Sequence, residues 1–412
     1  MKTMLKQTGL ALAVAAGLLA SPSLQAAPQD AQLVTAQREV GAFRSIELNG
    51  PYRVTIRAQG RHALSLTGAR KDLAEVETYV SGDTLVVRPV KRRGFSFSMG
   101  KQRDMVTISI STAMLASLTA SGSGDVDVDQ VSGERFSVTL NGPSDVRASG
   151  AVGDLHVTSN GSGDLDLHQM RAGRAILKMS GPGDVNVADI SGDLVARVSG
   201  SGDLEGERLR LSSATVDLNG PGSVRLDGTS RALQANVNGS GDLSVSGLAA
   251  QQVRVRMTGP GNLDLAGSAG TLNADLSGSG ELDASRLSVT NATLRSRGPG
   301  SAELATVSGT LDAEMRGSGG LQAALSGKRL LLKITGPADA DITGTVDVIN
   351  AQLSGSGSLN ARSLVAGHAD VVVSGPGTAV VNVRSKVETR TAMLDHGRMV
   401  TIDRRGAREE RN

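Results

Sequence analysis

Two stretches decide the fold: Asn160-Gly-Ser-Gly-Asp-Leu-Asp-Leu167 and, one step further on, Ser180-Gly-Pro-Gly-Asp-Val-Asn-Val187. Each opens on a glycine-led corner and passes into a short run in which apolar and polar residues alternate. The corner recurs at Gly122, Gly142, Gly161, Gly181, Gly200, Gly220, Gly239, Gly259, Gly278, Gly298, Gly317, Gly336, Gly355 and Gly375, at spacings of 19 or 20 residues. The next residue alternates without exception between serine (Ser123, Ser162 and so on to Ser356) and proline (Pro143, Pro182 and so on to Pro376), so the sequence unit is about 39 residues in two halves. Self-similarity at such a period is the signature of a repeat architecture.

Each half reads as strand, break, strand, with a second run such as Leu194-Val-Ala-Arg-Val198 following the first. Period-two alternation of aliphatic residues argues strands with one buried face. Glycine supplies the positive φ that a tight corner needs, and proline pre-sets φ at the next position. Strands this short cannot bury an apolar face alone, so successive units stack and pair through their backbones. The fold class is therefore all-β, a parallel β-helix or β-solenoid. Two coil sizes fit: one half per coil, or the whole 39-residue unit as one broad coil. The strict serine and proline alternation places the halves in different environments, and the sequence favours the broad coil.

Composition agrees with a thin, stacked interior. The 412 residues are 39% hydrophobic and 20% charged, with 52 glycines but only two tyrosines, four phenylalanines and no tryptophan. A compact globular core draws heavily on aromatic rings for buried area. Here valine, leucine, isoleucine and alanine must do that work. The chain has no cysteine, which excludes thiol catalysis, Cys-based metal sites and lipid attachment through an N-terminal cysteine.

The N-terminus has the three-part layout of a secretory signal: Lys2 and Lys6, the apolar run Leu10 to Ala20, then Ser21-Pro22 and small residues at Ala26 and Ala27. Cleavage there leaves 41 basic and 41 acidic residues, a balance that gives no support to nucleic-acid binding. The expected organisation is a signal over 1–27, a linker over 28–40, an N-terminal β-rich cap over 41–120, the solenoid over 121–395, and a C-terminal cap with a polar tail over 396–412. Within the N-terminal segment the runs Ser45–Leu48, Tyr52–Ile56, Thr84–Val87 and Val106–Ile110 read as strands. The spacing of Leu73, Val76, Tyr79 and Val80 reads as helical.

Phe43-Arg-Ser-Ile-Glu-Leu-Asn-Gly-Pro-Tyr-Arg-Val-Thr-Ile56, Asp83-Thr-Leu-Val-Val87, Val106-Thr-Ile-Ser-Ile110 and Leu115-Ala-Ser-Leu118 lead straight into Ser121-Gly-Ser-Gly-Asp-Val126. In this combination the chain resembles the head GIN domain family of putative auto-transporter adhesins over roughly residues 40 to 390. The resemblance implies a bacterial envelope protein of right-handed β-helical form, and it carries over no active-site residue. The chain departs from a minimal member by its longer repeat and by proline at every second corner.

Candidate chemistry is sparse. Asp125, Asp164, Asp203 and Asp242 follow Gly-Ser-Gly at intervals of 39, with Glu281 after them and Asp145 and Asp184 at the equivalent place in the other half. Oxygen-rich corners suit calcium and resemble calcium-binding β-roll toxins. The competing reading is that each carboxylate accepts N–H bonds in its own turn. The row lapses to Ser223, Asn262, Ser301, Gly320 and Ser358, which favours the turn reading. A basic loop with two aromatics, carrying Lys91, Arg92, Arg93, Phe95, Phe97, Lys101 and Arg103, is the best contact candidate, for an envelope glycan or a surface protein; a solvated hairpin loop is the alternative. The polar stretch Arg404 to Arg411 reads as a frayed tail. His62, His156, His168, His368 and His396 show no metal-ligand spacing, and no Gly-x-Ser-x-Gly elbow joins a strand to a helix. No cofactor is called for. The leading expectation is a non-catalytic, exported adhesion or scaffolding module. A carbohydrate-active β-helix and a calcium-dependent structural module are the alternatives.

Overall fold

Val146 pairs in parallel with Val126 on one side and with Leu165 on the other. One coil is therefore 19 or 20 residues, and the chain is an all-β parallel β-solenoid of about 13 turns. The expectation of a broad coil is corrected by this register: the 39-residue unit spans two turns, and serine and proline corners stack alternately along one edge. The computed structural model describes residues 33–90, 105–384, 398–403 and 406–409. The signal segment and the basic loop Lys91–Arg103 lie outside the described residues.

The coil that starts at Gly142 shows the plan. After the corner, Val146 and Ala148 point inward, the chain bends at Gly150, Val152 points inward, and a second bend follows at Gly153. Leu155, Val157 and Ser159 then line the long arm that returns to the next corner. Every coil repeats these columns, so the core is a stack of aliphatic layers, with Phe136 its one aromatic beyond the first corner.

The two halves differ at the bend after the first arm. Coils led by Gly-Ser, with the exception of the one at Gly317, carry an extra residue there, seen as a register slip between Val128 and Val131, Gly206 and Leu209, and Val245 and Leu248. Such a slip is a β-bulge. In the Gly-Pro coils paired with these three, Gly150, Gly228 and Gly267 adopt φ of 144°, 138° and 127° at that place. A methyl group on any of the three would overlap the carbonyl oxygen of the bulged coil beneath. The alternation that suggested a broad coil is thus an alternation of bulged and unbulged narrow ones.

The N-terminal segment builds the first turns out of sequence order. Strand β1 is Leu33–Arg38, β2 Ser45–Leu48, β3 Arg53–Arg57 and β4 Ala63–Ala69; helix α1 is Arg70–Leu73; β5 is Val76–Ser81, β6 Thr84–Pro89, β7 Thr107–Ser111, β8 Ser117–Ala120 and β9 Val126–Leu140. Strand β2 lies between β6 and β8, and β3 between β7 and β9, all in parallel. The open end is then blocked by strands of opposite direction: β5 on β6, and β4 on β7 with β1 outside it. Reversed strands remove the parallel template that a further coil or a second molecule would use. The Arg38 guanidinium fastens this end, donating to Val76 O and Thr78 Oγ1 at 2.8 Å each and to Leu73 O at 3.0 Å.

Two readings of this segment change. Val76–Ser81 is a strand, not a helix, because Val76, Thr78 and Val80 form a β-branched row opposite β6. Leu33–Arg38, placed in a linker by sequence, pairs with β4 and packs Val34 and Ala36 on the core. At the other end Arg398–Asp403 pairs in parallel with Thr378–Val383, and Gly406–Glu409, within the expected frayed tail, folds back antiparallel on it as a strand.

Nitroxide labels at Ser123 and Ser356, twelve coils apart, should lie about 58 Å from one another at the strand spacing of a sheet. Pulsed electron resonance returning half that distance would restore the broad coil.

Candidate functional site: the corner edge and the bend groove

The expected positive φ is found at the corner glycines Gly336, Gly355 and Gly375, at 117°, 125° and 115°, whereas the earlier corners need glycine for another reason. Gly122, Gly142, Gly161, Gly181 and Gly200 do not have positive φ. Instead, a Cβ on any of them would overlap the carbonyl oxygen of the glycine one coil back, Gly50 O beneath Gly122 and Gly161 O beneath Gly181. Stacked corners approach backbone to backbone. The middle residue points out, and beyond the first corner, where Ser123 N–H donates to Gly50 O at 3.3 Å, it is the following glycine that donates: Gly183, Gly202 and Gly222, to Gly161 O, Gly181 O and Gly200 O at 3.3 to 3.4 Å. Proline has no N–H to lose there, which makes it admissible.

Immediately after the corner runs the acidic row. Asp125, Asp164, Asp203 and Asp242 lie two levels apart, with Asp145, Asp184 and Ser223 between them. From Asp145 to Asp203 each carboxylate accepts from the backbone N–H at the same place in the next coil rather than in its own turn: Asp164 N–H to Asp145 Oδ1 at 3.0 Å, Asp184 to Asp164 at 3.0 Å, Asp203 to Asp184 at 2.8 Å, and Ser223 to Asp203 at 2.7 Å, while Asp125 lies 3.7 Å from the Arg53 guanidinium. Asn262 takes the same role, its Oδ1 accepting from Glu281 N–H at 3.2 Å. The row therefore tolerates an amide. Among the described residues no group of three or more histidine, aspartate or glutamate side chains is placed to hold a metal.

On the other side of the corner is a ladder that the sequence reading missed. Asn160 donates to Asn141 Oδ1 at 3.0 Å and accepts from Ser180 Oγ at 2.7 Å; Asn238 donates to Asn219 Oδ1 at 2.8 Å and accepts from Thr258 Oγ1 at 2.6 Å. The signal was the Asn, Ser or Thr before almost every corner glycine. The corner edge is thus hydrogen-bonded along its length by side chains as well as backbone.

Shifted titrations trace to structure. Burial pushes the Tyr52 hydroxyl up to about 12. Asp283 is held low by bonds from the Ser285 hydroxyl and amide, and Glu314 by the Arg316 guanidinium. His168 sits 2.9 Å from Asp166, while His62 contacts buried Thr112 at 3.3 Å and packs against the Phe43 ring. These histidines are far apart in the coil order and form no shared site. The strands that flank the basic loop are placed: Asn49 N–H donates to Val87 O, and Arg53 N–H to Val106 O. β6 pairs with β2 and β5, and β7 with β3 and β4.

A second feature lies at the bend after the first arm. Gln59, Gln130, Ser132, Gln169, Arg171 and Asp189 border a shallow depression of about 420 Å³, floored by Val131, Gly150 and Ala151.

Geometry of this kind defines a repeat scaffold whose outward side chains are presented in columns one coil apart. The chain belongs to the family described as "Putative auto-transporter adhesin, head GIN domain", whose model matches residues 42–247, 213–324 and 308–393. Among solved structures it is similar to a putative adhesin from Parabacteroides distasonis (14% identity, 81% of this chain and 98% of that one, TM-score 0.28). Others are a putative adhesin from Bacteroides fragilis (15%, 80% and 96%, 0.25) and a putative lipid binding protein from P. distasonis (16%, 80% and 96%, 0.24). No curated protein matches.

Two outcomes are expected from calorimetry of the full chain. Asp184→Asn should be neutral and Asp184→Ala should cost about 1 kcal/mol, the worth of one hydrogen bond, while calcium or a chelator leaves the melting temperature in place. Gly181→Ala should cost about 2–3 kcal/mol by overpacking whereas Pro182→Ala costs little; equal costs would remove the close approach as the reason for glycine.

Proposed function

We propose that the protein is an exported, non-catalytic contact module of the cell envelope, in which the solenoid is a rigid spacer and exposed columns and loops meet a glycan or a surface protein. The observation that carries this reading is uniformity. From Gly122 to Gly375 every coil keeps 19 or 20 residues, so no long loop interrupts the stack to enclose a substrate, and enzymes build sites from such loops. The corner acids are occupied by backbone amides, which speaks against the calcium-dependent alternative. Membership of a family described as adhesin supports the surface setting. No helix among the described residues is long and apolar enough to cross a membrane.

Within this reading Lys91, Arg92, Arg93, Lys101 and Arg103 form a cationic contact at the N-terminal end, steered toward anionic partners. Two measurements test the proposal. Mass spectrometry of the envelope protein should give a mature N-terminus near Ala27 or Pro28. Cells displaying the chain should adhere to a second cell or matrix surface, and neutralising the five loop cations should weaken that adherence most at low salt. Retention of Met1, or adherence indifferent to the whole chain, overturns the reading.

A further inference from the structure

The bend after the first arm has a built-in control at the extra residue of the bulge: in the coil led by Gly239 this residue is Gly247, with φ of 78°. Gln130 and Arg208 hold the equivalent place in their coils, at φ of 63° and 51°, and Asp189, at 53°, lies against Arg208 in the adjoining coil. These three are the non-glycine residues with positive φ among the described residues. L side chains are strained in that region, by roughly 1–3 kcal/mol apiece. Gly247 satisfies the fold at the bulge of its own coil, so geometry alone does not ask for glutamine or arginine there. All three stand in the early coils, and two of them, Gln130 and Asp189, border the depression described above.

What the depression offers is specific in kind. Gln59, Gln130 and Gln169 each carry a carboxamide with two donors and an acceptor, Ser132 adds a hydroxyl, and Arg171 adds an exposed guanidinium. Gln59 and Gln130 stand one coil apart and Gln130 and Gln169 two, so the carboxamides are spaced by about 5 and 10 Å, comparable with the rise of one and two sugar residues along an extended glycan. Between them Gly150 keeps the floor low, and exposed Ala151 gives it a small apolar contact for the C–H face of a ring. Asp189 is set by Arg208, whose Nε donates to its Oδ2 at 3.2 Å, and a second guanidinium nitrogen of Arg208 reaches His168 O at 3.2 Å. The acidic end is therefore braced, while Arg171 faces outward.

We infer that this groove binds an extended, hydroxyl-rich glycan bearing carboxylates, laid along the solenoid axis, with the three carboxamides on its hydroxyls and Arg171 on a carboxylate. The inference deepens the surface-contact reading and rests on it. It predicts an unusual pairing of effects: Gln130→Gly should leave the melting temperature unchanged or raise it by about 1–2 °C, yet weaken the glycan.

The test is titration calorimetry of the full chain with short oligogalacturonates and with neutral chito-oligosaccharides of equal length. The expected result is saturable binding of the uronate chain, weakened about tenfold or more by Gln130→Gly and by Gln169→Ala. Arg171→Gln should abolish the preference for uronate over the neutral chain. Failure of both sugars to bind at millimolar concentration, or binding untouched by all three substitutions, overturns the inference. Adherence of displaying cells, measured in parallel, separates the two readings: adherence that persists without glycan binding overturns this groove and leaves the contact module standing.

Discussion

Everything in this molecule depends on two corner backbones being allowed to touch. At each turn from Gly122 to Gly317 a glycine is laid against the carbonyl of the glycine one coil back, close enough that a single methyl group would not fit. Close approach sets the coil-to-coil distance at the corner to that of a paired sheet, and the arms on either side inherit their register from it. The aliphatic columns then stack without large side chains, because the layers are held at sheet spacing and have little volume to fill. The scarcity of aromatics follows from the spacing.

The same constraint explains why the corner edge is so polar. Where backbones meet this closely, the groups just outside the corner recur one coil apart, and each needs a partner. Carboxylates and carboxamides supply it by bridging to the next coil, as Asp164 does for Asp184 N–H and Asn141 for Asn160. The charges outside the edge also work between coils: Arg197 reaches Asp217 at 3.4 Å, and Arg295 reaches Asp312 and Glu314 at 3.1 and 3.5 Å. Exposed pairs of this sort contribute little singly. Their arrangement matters more, since opposite signs on successive levels fix which coil lies on which.

Much of this could be read from the sequence because a repeat prints its own alignment. The corner glycines, the alternating arms and the strands Ser45–Leu48 and Thr84–Val87 were legible from period and pattern. Coil size was not, since the alternation of Ser123 with Pro143 says only that two halves differ, and the difference resides in a one-residue bulge several positions away. The role of glycine was legible where φ is positive, at Gly336, Gly355 and Gly375, but not at Gly181, where the reason is an overlap between two stacked coils. Val76–Ser81 shows the limit of spacing arguments, as four apolar positions fit a helix until the partner strand β6 is present. The acidic row was visible, but its acceptors belong to the neighbouring turn and appear only once the turns are stacked. The bend groove was invisible, for it is assembled from residues separated by one, two or three coils and marked by backbone angles that no pattern of residue types reveals.

One feature of the N-terminal end bears on how the molecule is made. Later coils add onto a finished neighbour nineteen or twenty residues back, so their contacts are local in sequence. The first level is different: β2 and β3 lie between β6 and β7 on one side and β8 and β9 on the other, all of which come later in the chain. Assembly therefore has one slow, long-loop step, concentrated in the segment that emerges first, followed by a series of short and similar ones. A chain delivered N-terminus first would nucleate once residues up to β9 had arrived and would then wind up turn by turn, each new turn withdrawing a further length of unfolded polypeptide in one direction.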